Sequence, residues 1–161
     1  MTDVPWSAAR SYCHWLGKRL PTALEWRALA FGAMRPEPVP HYDYVECTKG
    51  NWGGELPAKR KPDDDDSHRE SQTTTCRVLN PGRPLVSGTV HLDRSALGVH
   101  DLLGNVAEWI DAGGHPYVAG SHYNGSLEEF LISPIRMPPD RPEPWLGFRC
   151  VRSLPPAPSP R

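Results

Sequence analysis

The apolar residues of the first segment recur at helical spacing. Pro5 favours the first turn of a helix, because its missing N–H would have no intrahelical partner there. Behind it, Ala9, Cys13 and Leu16 lie three or four residues apart and form one apolar stripe. The pattern predicts a helix over residues 5–16, which the following glycine ends.

A capping box opens a second helical segment. Thr22 and Glu25 have the spacing at which the hydroxyl accepts a hydrogen bond from the third backbone N–H while the carboxylate reaches back to the cap. The pattern predicts a helix over residues 23–31, and Gly32 is the residue type that stops one.

Periodicity disappears from residue 35 to residue 84. Pro and Gly interrupt every candidate strand in this stretch, which predicts a long loop. Four consecutive aspartates, Asp63 to Asp66, follow a lysine-arginine cluster. Such a run is typical of a solvated surface loop, and a cation site is the sharper alternative.

Regular structure is predicted again near the C-terminal end. Ordered segments are expected at residues 85–90 and 97–109, and short strands at 117–121 and 146–153. The last residues, 153–161, are rich in proline and predict a disordered or extended tail.

Composition and charge narrow the function classes. The chain has 161 residues, enough for one domain, and its 19 prolines and 14 glycines exclude long helices and broad sheets over most of it. A net charge of −1 gives no basic field for nucleic acid, so no nucleic acid partner is expected. No apolar run approaches the roughly 20 residues that span a bilayer, and the first residues do not have the pattern of a signal peptide. The sequence predicts a soluble, cytoplasmic protein with no membrane partner.

Local metal motifs are missing from the sequence. The four cysteines contain no C-x-x-C pair, which argues against a structural zinc site. The seven histidines form no H-x-x-x-H pair on a helix. Metal-dependent catalysis is therefore not encoded locally.

Three segments together resemble one known family. They are residues 12–22 (YCHWLGKRLPT) with Glu25 and Trp26, residues 103–109 (LGNVAEW) and residues 146–151 (LGFRCV). In that order and spacing they are similar to the formylglycine-generating enzymes, the sulfatase-modifying factor domains. The resemblance implies an α+β, C-type-lectin-like fold with two helices, small antiparallel sheets and mostly irregular loops, over residues 4–152. Family members usually carry a further N-terminal stretch, so the resemblance implies a shortened domain or one that a partner chain completes.

Two calcium sites are implied by the resemblance. At the first, Asp101 and Glu108 would provide carboxylates, while Gly104 and Val106 would provide backbone carbonyls, which suits a hard cation. At the second, the ligands would come from Asn51, Trp52 and Asp64. From the residues alone, a helix N-terminus with acidic residues near its positive end is the favoured interpretation of the first segment.

The resemblance also implies one disulfide. Cys13 and Cys150 match a family pair that joins the first helix to the last strand. In an oxidising compartment the pair would be bonded, and in a cytosol it would be reduced and buried.

This sequence departs from the family's catalytic motif. The enzymes bind copper through two cysteines that follow a G-G-S motif, because thiolates hold soft Cu(I). Asn124 and Glu128 stand at those positions, and no cysteine lies between Cys76 and Cys150. The sequence thus predicts no catalytic residues and no copper.

A binding module is the leading functional hypothesis. Some members of the family bind ligands without chemistry, including variable proteins diversified by retroelements. The corresponding stretch is polar and aromatic, which suits contact with a protein or small-molecule ligand. The candidate ligand-binding residues are Ser121, His122, Tyr123, Asn124, Ser126, Glu128 and Trp145. A plain connecting loop is the rival interpretation of this stretch, and an enzyme with an altered or partner-completed site is the alternative function.

Overall fold

The architecture is α+β. The computed structural model describes residues 1–31, 55–56, 74–75, 82–90, 94–102, 104–125 and 134–153. In chain order its elements are α1 (Trp6–Trp15), α2 (Ala23–Phe31), β1 (Glu55–Leu56), β2 (Thr74–Thr75), β3 (Ala107–Asp111), β4 (Pro116–Ala119), β5 (Ile135–Arg136) and β6 (Leu146–Phe148). The tail from residue 154 lies outside the described residues.

Both helices form where the sequence predicts them. Pro5 caps α1 from the extended region, with φ −66° and ψ 153°, instead of occupying its first turn. At the other end, the Gly17 N–H donates to the carbonyl of His14, and Gly17 adopts φ 66°. This left-handed conformation favours glycine and ends the helix.

The predicted capping box is present at α2. The Thr22 N–H donates to Oε2 of Glu25 at 2.9 Å, and the Glu25 N–H donates to Oγ1 of Thr22 at 3.2 Å. Both carboxylate oxygens also accept from the Arg19 guanidinium, at 2.6 and 2.7 Å. Arg19, with the Thr22 N–H adding to its effect, lowers the pKa of Glu25 to about 2.

The main sheet is mixed, so the prediction of antiparallel sheets alone is wrong. Its order is β5-β4-β3-β6, and β3 pairs with β6 in parallel while the other pairs are antiparallel. Because β5 runs in the direction of β3, residues 137–145 must return along the sheet before β6 begins. This return delivers β6 to the other edge of β3 in a parallel direction.

Two further sequence predictions need correction. The stretch predicted as an uninterrupted loop contains the antiparallel pair of β1 and β2, where Glu55 faces Thr75. Thr75 belongs to a run of β-branched residues, which favour extended backbone. The last predicted strand ends at Phe148, and beyond it Val151 forms only an isolated bridge with Arg19.

The central strand β3 is buried on both faces. Because side chains alternate along a strand, Ala107 and Trp109 face one side and Ile110 the other. The first side packs with α1 in a cluster of Trp6, Ala9, Cys13, Leu20, Ala107, Trp109, Val118 and Leu146. The second packs with α2 in a cluster of Trp26, Leu102, Ile110 and Ala119. The sheet therefore lies between the two helices.

A disulfide links α1 to the segment after β6. Cys13 and Cys150 are bonded, with their Cα atoms 5.5 Å apart, and 137 positions separate them in sequence. In the chain-entropy model a loop of this length contributes about 4–5 kcal/mol to stability. The bond thus fixes the first helix to the end of the sheet.

The described helices are short. The longer one, α1, has 10 residues. Within the described parts of the chain, no helix has the length and apolar character needed to cross a membrane.

Glu25 makes stability depend on pH in the acid range. Its folded pKa is lowered, so its contribution is complete above the unfolded value of about 4.3 and is lost as the pH falls toward about 2. We expect Glu25→Ala to lower the free energy of unfolding by about 1–2 kcal/mol at pH 7, from the lost cap and ion pair. Chemical denaturation of both proteins at pH 7 and pH 2 measures this difference.

Glu25→Gln is the matched control, because glutamine still serves a capping box. Its loss at pH 7 should be smaller than that of the alanine variant. An alanine variant whose deficit is the same at pH 7 and pH 2 would contradict the role of the ionised carboxylate.

Candidate functional site

The loop that enters β3 has an unusual backbone. Asp101 and Asn105 adopt φ 57° and 70°, which is rare outside glycine and marks a conformation that its surroundings must hold. The segment is a loop followed by a strand, so the alternative of a helix N-terminus is wrong. In this conformation Asp101 and Asn105 both contact the segment of residues 85–88.

Side-chain hydrogen bonds to that neighbouring segment hold the loop. Oδ2 of Asp101 accepts from the Ser87 hydroxyl at 2.5 Å and from the Gly88 N–H at 2.8 Å. The Asn105 amide accepts from the Leu85 N–H at 2.8 Å and donates to the Leu85 carbonyl at 3.2 Å. The strained backbone is therefore supported at both of its left-handed residues.

Glu108 is a buried carboxylate with a full set of donors. Its side chain is only 6% exposed, and it lies on β3 on the side of α2. Arg149 donates from Nε to Oε2 and from Nη2 to Oε1, both at 2.5 Å. The Trp26 indole donates to Oε2 at 2.9 Å. A buried charge needs such compensation, because desolvation would otherwise favour the neutral acid.

Arg149 also closes the loop. Its Nη2 donates to the carbonyls of His100 at 3.1 Å and Asp101 at 3.3 Å. Sequence reasoning used this arginine as part of a motif and assigned it no role. The signal that could have predicted its role is the acidic Glu108 inside an apolar strand, because a buried carboxylate requires a cation nearby.

The two carboxylates of the first predicted calcium site, Asp101 and Glu108, differ in their partners. Asp101 is 5% exposed, and none of the basic side chains in the described ranges forms an ion pair with its carboxylate. Nδ1 of His100, next to it, is buried without a hydrogen-bond partner. Glu108, in contrast, already binds the Arg149 guanidinium. Of the two predicted carboxylate ligands, Asp101 is therefore the one without a basic partner among the described residues.

No cluster of three or more His, Cys, Asp or Glu residues capable of holding a metal lies within the described residues. A cation beside Asp101 would thus depend on backbone carbonyls, of which that of Gly104 accepts from the Val106 N–H at 2.9 Å. The second predicted site, Asn51, Trp52 and Asp64, lies outside the described residues.

The turn after β4 packs closely on this loop. Gly120 adopts φ 80°, and a Cβ there would meet the Leu102 carbonyl and the Trp26 ring at 3.0 Å. Only glycine permits this approach. Ser121, which follows, is fully buried, and the Tyr123 N–H donates to the Asn105 carbonyl at 3.1 Å. The turn and the loop therefore form one packed unit.

His122 lies in this turn against an aromatic ring. Its imidazole stacks on Trp145 with centroids 4.4 Å apart and planes 19° apart. Nδ1 accepts from the Asn124 N–H at 3.2 Å. Burial lowers the pKa of His122 to about 4, and the nearby carboxylate of Glu143 opposes this shift only in part. The ring is therefore neutral at physiological pH.

The predicted ligand-binding residues separate into two groups. The first group is buried within the turn and consists of Ser121, His122 and Tyr123. Asn124 is exposed and Trp145 is half-buried, so these two reach the surface. Ser126 and Glu128 lie outside the described residues.

Comparison with known proteins identifies the family. The chain belongs to the sulfatase-modifying factor enzyme 1-like domain family, whose model matches residues 1–154. It is 33% identical over 94% of its length to the inactive C-alpha-formylglycine-generating enzyme 2 of Bos taurus. It is 31% identical over 68% of its length to the formylglycine-generating enzyme of Thermomonospora curvata, of which it covers 32%. The chain spans about half the length of the inactive relative, 49%.

The same domain type occurs in a third setting. The chain is 31% identical over 68% of its length to a serine/threonine-protein kinase, Pkn1 of Chlamydia trachomatis, and covers 13% of that protein. The similarity therefore concerns the domain and not the whole of these longer relatives.

His122 should make stability rise with pH between about 4 and 6.5. In this interval the unfolded histidine, with a pKa of about 6.5, binds a proton that the folded one does not. At about 1.4 kcal/mol per pKa unit, the difference between about 6.5 and about 4 corresponds to an increase of about 3 kcal/mol in the free energy of unfolding across this interval. His122→Phe, which keeps an aromatic ring on Trp145, should remove this increase in denaturation experiments at pH 4.5 and 7.

His115→Gln is the control, because His115 is exposed in the turn between β3 and β4. It should leave the pH dependence unchanged. If His122→Phe keeps the full pH dependence, another group is responsible for it.

Proposed function

We propose that this chain is a non-catalytic binding module on a C-type-lectin-like, formylglycine-generating-enzyme scaffold, stabilised by calcium beside Asp101. The proposal is carried by the sequence at the positions that the resemblance matches to the family's copper cysteines, where Asn124 and Glu128 stand. Within the described residues, both cysteines are bonded to each other and provide no thiol. Soft Cu(I) has no ligand of its preferred kind at this turn.

The relatives support a scaffold that persists without the reaction. The match to a protein named as an inactive formylglycine-generating enzyme extends over 94% of the chain, against 68% for the enzyme of Thermomonospora curvata. The scaffold residues remain in place here, including the Glu108–Arg149 pair and the disulfide. Under this proposal, the residues that preserve the fold are kept while those that perform the reaction are replaced.

The binding surface would be formed by Asn124, the accessible part of Trp145 and the neighbouring segment of residues 138–144. Most of this segment is exposed and rich in proline, which presents side chains at low entropic cost. Ser121, His122 and Tyr123 would act as its buried floor. In the retroelement-diversified form of the proposal, the exposed positions vary and the buried floor does not.

Copper and peptide assays test the absence of catalysis. The family's enzymes oxidise a target cysteine to the aldehyde formylglycine. We expect no stoichiometric Cu(I) binding at the turn, measured by competition with a Cu(I) chelator. We also expect no conversion of the cysteine of a C-x-P-x-R peptide to the aldehyde, measured by mass spectrometry. A formylglycine-generating enzyme assayed in parallel is the positive control. Aldehyde formation would establish the alternative, an enzyme with an altered or partner-completed site.

Calcium should raise the melting temperature through Asp101. An ion that binds only the folded state stabilises it by mass action, by about 2.7 kcal/mol at a concentration 100 times its Kd. Asp101→Asn should abolish the calcium-dependent rise, since the amide keeps an oxygen for Ser87 and Gly88 but removes the charge. Thermal unfolding with calcium and with a chelator measures the effect.

Two further variants sharpen the calcium test. Glu108→Gln should lower stability with and without calcium, because it leaves Arg149 without its carboxylate, and should keep the calcium-dependent rise. Asp140→Asn, at an exposed position, should change neither. A melting temperature that is the same with calcium and with chelator would refute the calcium site and leave the binding proposal standing.

A further inference from the structure

A cleft of about 540 Å³ lies along α1, away from the turn that carries the proposed binding surface. Ser7, Ser11 and His14 line one wall at spacings of four and three residues, which place them on one face of the helix. Asp111, at the end of β3, and the backbone after α1 complete the enclosure. The volume is that of a small-molecule pocket, for which about 300–1,000 Å³ is usual.

The lining of the cleft carries more positive than negative charge. Among the described residues that line it, the basic ones are Arg10, Lys18 and Arg19, and the acidic one is Asp111. Arg19 is compensated by Glu25, with which it forms two hydrogen bonds. Lys18 has no acidic partner within 4 Å among the residues that the structure describes. The balance favours an anionic group.

Arg10 is placed to receive such a group. Its guanidinium lies 5.2 Å from the centroid of the Trp6 ring, which holds it at the cleft. Its contact with Asp111, at 3.6 Å, is the longest of the four ion pairs between described residues, and its side chain is 58% exposed. The other oxygen of Asp111 accepts from the Gly114 N–H at 2.6 Å. The guanidinium therefore keeps a fork of donors suited to an oxyanion.

We propose that this cleft binds the oxyanion group of a small molecule, a phosphate or a carboxylate. Arg10 would bind the group through paired hydrogen bonds, and Lys18 would supply a second positive charge. The hydroxyls of Ser7 and Ser11 face the same space and would donate to its remaining oxygens. This site does not depend on calcium, on Asn124 or on the absence of copper.

Titration calorimetry at constant ionic strength tests the proposal, with inorganic phosphate in one arm and acetate in the other. We expect saturable binding of at least one of them, and the tighter probe identifies the class of oxyanion. Arg10→Met should weaken binding at least about 10-fold, as expected for the loss of charge-assisted hydrogen bonds. Lys18→Met should weaken it several-fold.

Asp111→Asn should strengthen binding, because it removes the negative charge that competes for Arg10 and keeps an oxygen for the Gly114 N–H. This gain cannot come from a damaged fold. Arg136→Met is the matched control, since it deletes an exposed arginine that lies outside the cleft and outside the proposed binding surface. It should leave the affinity unchanged.

Two results would overturn the proposal. One is the lack of saturable binding of either probe to the unmodified protein. The other is a loss in Arg136→Met equal to that in Arg10→Met, which would mean that net charge alone attracts the anion. Either result leaves the copper, peptide and calcium assays unaffected, so the two proposals fail separately.

Discussion

The fold depends on the compensation of one buried charge, the carboxylate of Glu108. It lies in the central strand, where burial on both faces would otherwise exclude an ionised group. Arg149 and Trp26 fill its acceptor positions, and through them the carboxylate joins β3, the segment after β6 and α2. Removing one partner of such a pair commonly costs about 3–5 kcal/mol, because the other charge stays buried alone. The pair is therefore a structural requirement for bringing the strand, the helix and the entry loop together.

The chain has little regular structure, and the contacts around Glu108 and Arg149 help to fix its loops. A sheet of short strands between two short helices buries few residues, so the loops must be fixed by other means. Asp101 and Asn105 bind the backbone of residues 85–88, Arg149 binds two loop carbonyls, and the disulfide fixes α1. Glycine at residue 120 permits the close approach of the turn after β4 to the Leu102 carbonyl and the Trp26 ring. The richness in Pro and Gly is thus compatible with a defined structure.

Sequence reasoning succeeded where the determinants are local. The capping box of Thr22 and Glu25 and the apolar stripe of α1 lie within a few residues, and both helices form within one residue of the predicted ends. It failed for the parallel pairing of β3 with β6, since strands that are distant in sequence leave no local trace of their direction. The role of Arg149 was missed for the same reason. The polar sequence of Ser121 and His122 suggested a surface, whereas packing against Trp145 and the loop buries both.

Under the proposed function, the burial of Ser121, His122 and Tyr123 explains how the scaffold can persist while its chemistry changes. Asn124 is exposed, and its described contact with the turn is its backbone N–H, which any residue except proline can donate. Replacing a cysteine at such a position removes a copper ligand without opening a cavity or leaving a buried polar group. Glu108, Arg149 and Gly120 have no such freedom, because each meets packed atoms or an opposite charge. Under the proposed function, a family built on this core would lose its reaction by single substitutions at the surface and remain folded for another use.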